Sequence, residues 1–114
     1  MPRYKLVVMS KPLEGREQEY NDWYQNVHLR DVVAIDGIYA AQRFRMSLSV
    51  MPGADPLPYL AIYDIETNDL EGTIEELKRR SQSGEMFISE TLSPDLFTVA
   101  YEELGPLVKA EVRG

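Results

Sequence analysis

His28 is the only histidine in this 114-residue chain, and the chain has no cysteine. An imidazole with an ordinary pKa of about 6.5 can take up and return a proton at neutral pH. Asp31 follows three residues later, where a continuing helix would bring its carboxylate close enough to orient the ring. Further on, Gln42, Arg43 and Arg45 supply a carboxamide and fixed positive charge, and Arg43 could hold a carboxylate or stabilise an enolate. Tyr20, Trp23, Tyr24, Tyr59, Tyr63 and Tyr101 add ring surface and hydroxyl donors, walls that suit a flat, hydrophobic, partly aromatic ligand. These types together describe proton abstraction next to a carbonyl, with His28 as the base and Arg43 or a tyrosine hydroxyl at the enolate oxygen. Each has a plainer reading. His28 can cap a helix C-terminus, Arg45 and Arg43 can sit near an edge and pair with acids of a partner copy, and aromatics at helical or strand spacing usually form core.

The composition removes several other chemistries. Without cysteine there is no thiolate nucleophile, disulfide or cysteine zinc site, and one histidine cannot build a His₃ or His₂-carboxylate centre within the chain. A formal charge of −7 argues against a nucleic-acid partner, which needs a basic face. No phosphate-binding glycine loop, nucleophile elbow or dinucleotide fingerprint is present. The apolar run in MPRYKLVVMS is too short for a signal peptide, and no stretch approaches the roughly 20 apolar residues of a membrane span. The expectation is a cytoplasmic protein that needs neither metal nor cofactor.

The elements that must position these side chains follow from periodicity. Arg3 to Ser10 is a nearly continuous apolar strand of the kind buried on both faces, ended by Lys11-Pro12. From about Gly15 the period turns helical, with Tyr20, Trp23, Tyr24, Val27 and Asp31 on one stripe and His28 at its edge. Asp36-Gly37 marks a turn. Ile38 to Leu48 then alternates, with Ile38, Ala40, Gln42, Phe44 and Met46 on one face and Tyr39, Ala41, Arg43, Arg45 and Ser47 on the other. Residues 50–58, with Pro52, Gly53, Pro56 and Pro58, form a loop before a strand over Tyr59 to Ile65.

A second amphipathic helix spans 69–81, with Asn68 or Asp69 as N-cap and Glu71 completing a capping box if Asn68 is the cap. Its Glu75–Arg79 and Glu76–Arg80 pairs contribute about 0.2–0.5 kcal/mol each on a solvated face. Ser83-Gly84 ends it, residues 85–94 look irregular, and Leu96 to Glu102 is the last strand. The order βαββαβ is the ferredoxin-like arrangement, an α+β fold with a four-stranded antiparallel sheet and both helices on one face. Residues 1–104 form that domain, and 105–114 a tail that serves as an edge strand or a dimer arm. The other sheet face would be bare and apolar, so a homodimer packed through sheet faces is expected.

The string WYQNVHLRDVVAIDGIYAAQRFR, Trp23 to Arg45, resembles the EthD-like branch of the dimeric α+β barrel superfamily. That group shows a tryptophan- and tyrosine-rich helix, a histidine in an H-x-P-D/E setting, and a glycine-led strand ending in arginines. YLAIYDIETNDL, Tyr59 to Leu70, resembles the same group. Arg30 stands where proline is common, which leaves the chain direction after His28 less fixed. The resemblance implies a homodimer with a small pocket between helices and sheet in each subunit. It implies activity only broadly, because the superfamily holds cyclases, dehydratases, isomerases, cofactor-free monooxygenases and haem-degrading enzymes.

The leading expectation is a cofactor-independent cyclase, dehydratase or isomerase acting on an aromatic or polyketide-like carbonyl compound. The alternatives are a non-catalytic protein that binds a hydrophobic small molecule, and a monooxygenase of the same superfamily.

Overall fold

The computed structural model describes residues 1–51, 53 and 57–112. Its four strands, β1 (Arg3–Ser10), β2 (Ile38–Arg45), β3 (Tyr59–Glu66) and β4 (Phe97–Glu102), form one antiparallel sheet in the order β2-β3-β1-β4. The first helical run is continuous: α1 (Glu17–Trp23), a π-helical stretch (Tyr24–His28) and α2 (Leu29–Val33). The second helix is α3 (Leu70–Ser83). This is the ferredoxin-like topology expected from the element order. Of the loop at 50–58, Pro52 and Pro56 lie outside the described residues.

β1 sits between β3 and β4, the central place its nearly continuous apolar run suggests, but only its helix side is buried in the single chain. Leu6 faces the helices and is buried, whereas Val7 and Met9 on the opposite face are half-buried. The core lies on the helix side, where Tyr20, Val32, Ile35, Tyr63 and Ile65 are almost completely shielded. Among the described residues, nothing covers the other face. There Val7 lies between Ile62 and Val99, Met9 between Leu60 and Phe97, and a Lys5–Asp64 ion pair crosses between β1 and β3.

Three details depart from the periodic reading. The Leu29 N–H bonds back five residues to the Tyr24 carbonyl, which widens the turn. Below Tyr24 the inward positions therefore become His28, Leu29 and Val32, and Val27 is left 41% exposed. The helix also runs straight through Arg30, which lets α2 form where proline would have withheld an N–H.

On β2 a bulge between Ile38 and Ala40 shifts the register by one residue. Ile38 thereby joins Ala41, Arg43 and Arg45 on the helix side, opposite Ile65, Tyr63, Ala61 and Tyr59. The strand ends at Arg45 rather than Leu48.

At α3 the cap is Asp69, whose side chain accepts from the Gly72 N–H at 3.0 Å. Glu71 is then too early in the helix to complete a capping box. Arg80 pairs with Glu76 at 2.9 Å as expected, but Arg79 turns to Glu76 and Glu85, and Glu75 meets Lys78 instead.

Residues 85–94 form neither strand nor helix, yet they are firmly placed. Leu13 N–H donates to the Thr91 carbonyl at 2.7 Å and Ser93 N–H to the Lys11 carbonyl at 3.0 Å, which ties the segment to the end of β1. Met86, Ser89, Thr91 and Ser93 are buried there, with Ser89 and Thr91 hydroxyls 2.7 Å apart. Residues 105–112 carry no strand and are exposed.

Candidate functional site

Between the sheet, the first helical run, α3 and the 85–96 segment lies a cavity of about 510 Å³. Leu6, Val8, Val32, Leu77, Met86 and Leu92 make most of it apolar. Its polar groups on the sheet and first-helix side are Ser10, Tyr24, His28, Tyr63 and Thr98. The π-helical turn rotates the inward stripe off Val27, so His28 moves from the edge of the stripe into the cavity wall.

The His28 ring stacks on Trp23 with centroids 4.7 Å apart and meets Tyr24 edge-on at 5.0 Å. Its Nδ1 is fully buried with no hydrogen-bond partner, so Asp31 does not orient the ring. The widened turn explains this, because Asp31 no longer shares the inward stripe. Burial, reinforced by the nearby Arg43 charge, holds the imidazole pKa down at about 4, so His28 is neutral at pH 7. Trp23 supports it from beneath and is itself anchored, its indole N–H donating to the Phe87 carbonyl at 3.1 Å.

The hydroxyls form a connected set. Tyr63 donates to the Tyr24 oxygen at 3.3 Å, and the Ser10 and Tyr20 hydroxyls share a hydrogen bond at 2.5 Å. Desolvation pushes the Tyr24 phenol up to about 12 and the Tyr63 phenol higher still. Both remain protonated donors at neutral pH.

Arg43 does not line this cavity. Its Nη2 donates to Asn21 Oδ1 at 2.6 Å, and its guanidinium lies 4.6 Å from the Tyr24 ring centroid and 5.5 Å from that of Tyr59. With Arg45 and Tyr59 it lines a separate cleft of about 240 Å³. Arg43 therefore acts on the cavity through the faces of Tyr24 and Tyr20, as a cation held against π-systems.

Gln42 and Tyr101 fall on the uncovered face of the sheet, away from His28. The alternation on β2 places Gln42 opposite Arg43, and Tyr101 pairs across from Lys5. Of the residues singled out from the sequence, the structure gathers His28, Tyr24 and Tyr63 at one wall, backed by Tyr20 and Trp23. It adds Ser10, whose place in a strand gave no signal, and the wall from 86 to 96, whose Met86, Ile88, Leu92 and Leu96 carry no regular period.

No group of three or more His, Asp or Glu side chains among the described residues is placed to hold a metal ion. No helix among them is long and apolar enough to cross a membrane.

No family model and no curated protein matches the sequence. Solved structures do match in fold. An ethyl tert-butyl ether D (EthD) family protein from Bacillus halodurans superposes with a TM-score of 0.55 at 15% identity, over 91% of this chain and 100% of that one. A DABB family protein with a ferredoxin-like fold from Mesorhizobium loti gives 0.53 at 10%, over 92% and 100%. A monooxygenase-like protein from Shewanella loihica gives 0.60 at 13%, over 93% and 99%. The neighbours thus include an EthD family protein, the group that the Trp23–Arg45 stretch resembles, and what this chain shares with them is the ferredoxin-like α+β fold.

Proposed function

We propose that the chain is a cofactor-independent enzyme of the cyclase, dehydratase or isomerase kind, acting on a small hydrophobic carbonyl compound of aromatic or polyketide type. The observation that carries this reading is a neutral imidazole set beside two protonated phenols on the wall of an otherwise apolar cavity. The carbonyl oxygen accepts from Tyr24, whose own proton stays free because Tyr63 donates to its oxygen, and His28 takes the proton from the adjacent carbon. That step turns a neutral pair into imidazolium and enolate. In a poorly solvated cavity the two charges stabilise each other, so the enolate raises the proton affinity of a ring that is weakly basic while the cavity is empty. Arg43, 4.6 Å from the Tyr24 centroid, favours the phenol as a donor to the growing negative charge.

His28→Ala, with its fold checked by circular dichroism, is expected to lower turnover about 10²–10⁴-fold on the correct substrate of a carbonyl panel. Unchanged turnover would remove His28 from the mechanism. Retained ligand affinity with no product from either protein would favour a binding role instead.

The monooxygenase-like neighbours favour a second reading, in which the same deprotonated carbon meets dioxygen. Substrate-dependent oxygen consumption distinguishes it.

In either case a second copy of the chain covers the open sheet face around Val7, Ile62 and Val99, with the exposed 105–112 tail available as an arm. Sedimentation at micromolar concentration should give a dimer, and Ile62→Glu a folded monomer. A monomeric parent chain would refute the pairing.

A further inference from the structure

The polar lining of the cavity extends beyond the His28 wall to α3. Lys78 of α3 is the one charged residue among those lining it. Its side chain is 61% exposed, so the ammonium stands at the opening while the stem borders the apolar interior. The other cations of α3 are engaged: Arg79 with Glu76 at 2.5 Å and Glu85 at 2.9 Å, and Arg80 with Glu76 at 2.9 Å. Among the described residues, Lys78 has only Glu75, at 3.8 Å, the outer limit of an ion pair. In a chain with net charge −7, the single charge that the described residues place on the cavity is positive.

We propose that the ligand of this cavity is a monoanionic amphiphile, an apolar body with a carboxylate that docks at Lys78 while its other end reaches the His28–Tyr24–Tyr63 wall. The inference rests on the cavity being the ligand site and adds the ligand's charge and direction. The carboxylate accepts from the Lys78 ammonium in competition with Glu75, and the apolar body displaces water from walls built by Leu77, Leu92 and Leu6. The carbon chain of Lys78 covers apolar rim whether or not its charge is used, so the test must separate stem from charge.

Phenylhexanoate and phenylhexanamide are matched probes for calorimetry at low salt. The parent chain should bind the acid about three- to fivefold more tightly than the amide, as fits a single half-exposed ion pair. Lys78→Met, which keeps the stem and loses the charge, should abolish that preference by weakening the acid alone. Lys78→Arg should keep it, and half-molar salt should erode it. Equal binding of the two probes by the parent chain, or an undiminished preference in Lys78→Met, overturns the anionic docking and leaves the cavity reading standing. Failure of both probes to bind overturns the two together.

Discussion

The first helical run lies directly on the sheet, whereas α3 stands across the cavity from it. Tyr20, Trp23, Tyr24, Leu29 and Val32 are all buried against strands, and Tyr20 and Tyr24 share hydroxyl contacts with Ser10 and Tyr63. On α3 only Thr73 is buried, and Ile74 and Leu77 look into the cavity. The ends of the helices show the converse. Arg16 gives α1 no side-chain cap, while α3 has both an Asp69 N-cap and a left-handed Gly84 (φ 87°) at its end. A helix held by packing can begin without a cap; one held away from the sheet must satisfy its own termini. The chemistry belongs to the packed helix and access to the loose one.

The largest test of that contrast is a pair of truncations. Tyr20→Ala removes a fully buried ring and strands the Ser10 hydroxyl, and should cost about 3–5 kcal/mol in urea denaturation. Leu77→Ala enlarges a hollow that already exists and should cost no more than about 2 kcal/mol, the low end for such a change. Equal losses would mean that α3 is as integral to the core as α1, and the comparison would fail.

The second test uses pH. His28 is held neutral in the folded chain down to about pH 4, while the unfolded chain protonates it near its ordinary value of about 6.5. Between those values the unfolded state binds more protons, so stability falls as pH drops from about 6.5 toward 4. At about 1.4 kcal/mol per unit, the full loss from this group is roughly 3 kcal/mol. Because His28 is the only histidine, the interval from pH 6.5 to 5 isolates it from the carboxylates. His28→Phe should flatten the stability curve there and leave a slope only below pH 5. A parent curve already flat in that interval would show that the ring is better solvated than its packing on Trp23 and Tyr24 implies.

Much of the fold was legible because strand and helix periods are local. β1 spans Arg3–Ser10 as its apolar run predicts, and the turn at Asp36-Gly37 and the helix end at Gly84 fall where glycine marks them. The site was legible only in part, for two physical reasons. One inserted residue in a helix turn, and one bulge in a strand, each reassign which side chains face inward without leaving a compositional mark. They move Val27 and Asp31 off the inward stripe and place Ile38 beside Arg43. The far wall of the cavity comes from 86–96, whose position depends on backbone hydrogen bonds to Lys11 and Leu13 rather than on any period. Aromatic positions in the first helix were therefore readable as core, whereas Gln42 and Tyr101 could be assigned to a face only once the sheet was paired.

The smallest expected effect is also the sharpest on α3. A Cβ at Gly72 would lie 2.8 Å from Asp69 Cγ, so the glycine keeps open the space that the capping carboxylate occupies. Asp69→Ala should cost about 1 kcal/mol through the lost bond to the Gly72 N–H. Gly72→Ala should gain up to about 1 kcal/mol of helix propensity and lose a similar amount by displacing the cap, leaving stability nearly unchanged. In the Asp69→Ala background the cap is already gone, and the same Gly72→Ala change should then be stabilising by about 0.5–1 kcal/mol. Amide exchange should place both effects in α3 and leave the protection of Tyr20 and Tyr24 unaltered. Additive effects in this cycle would mean that a Cβ at Gly72 leaves the Asp69 cap undisturbed, and an Asp69→Ala change without cost would mean that the helix over the cavity is held by something other than its ends.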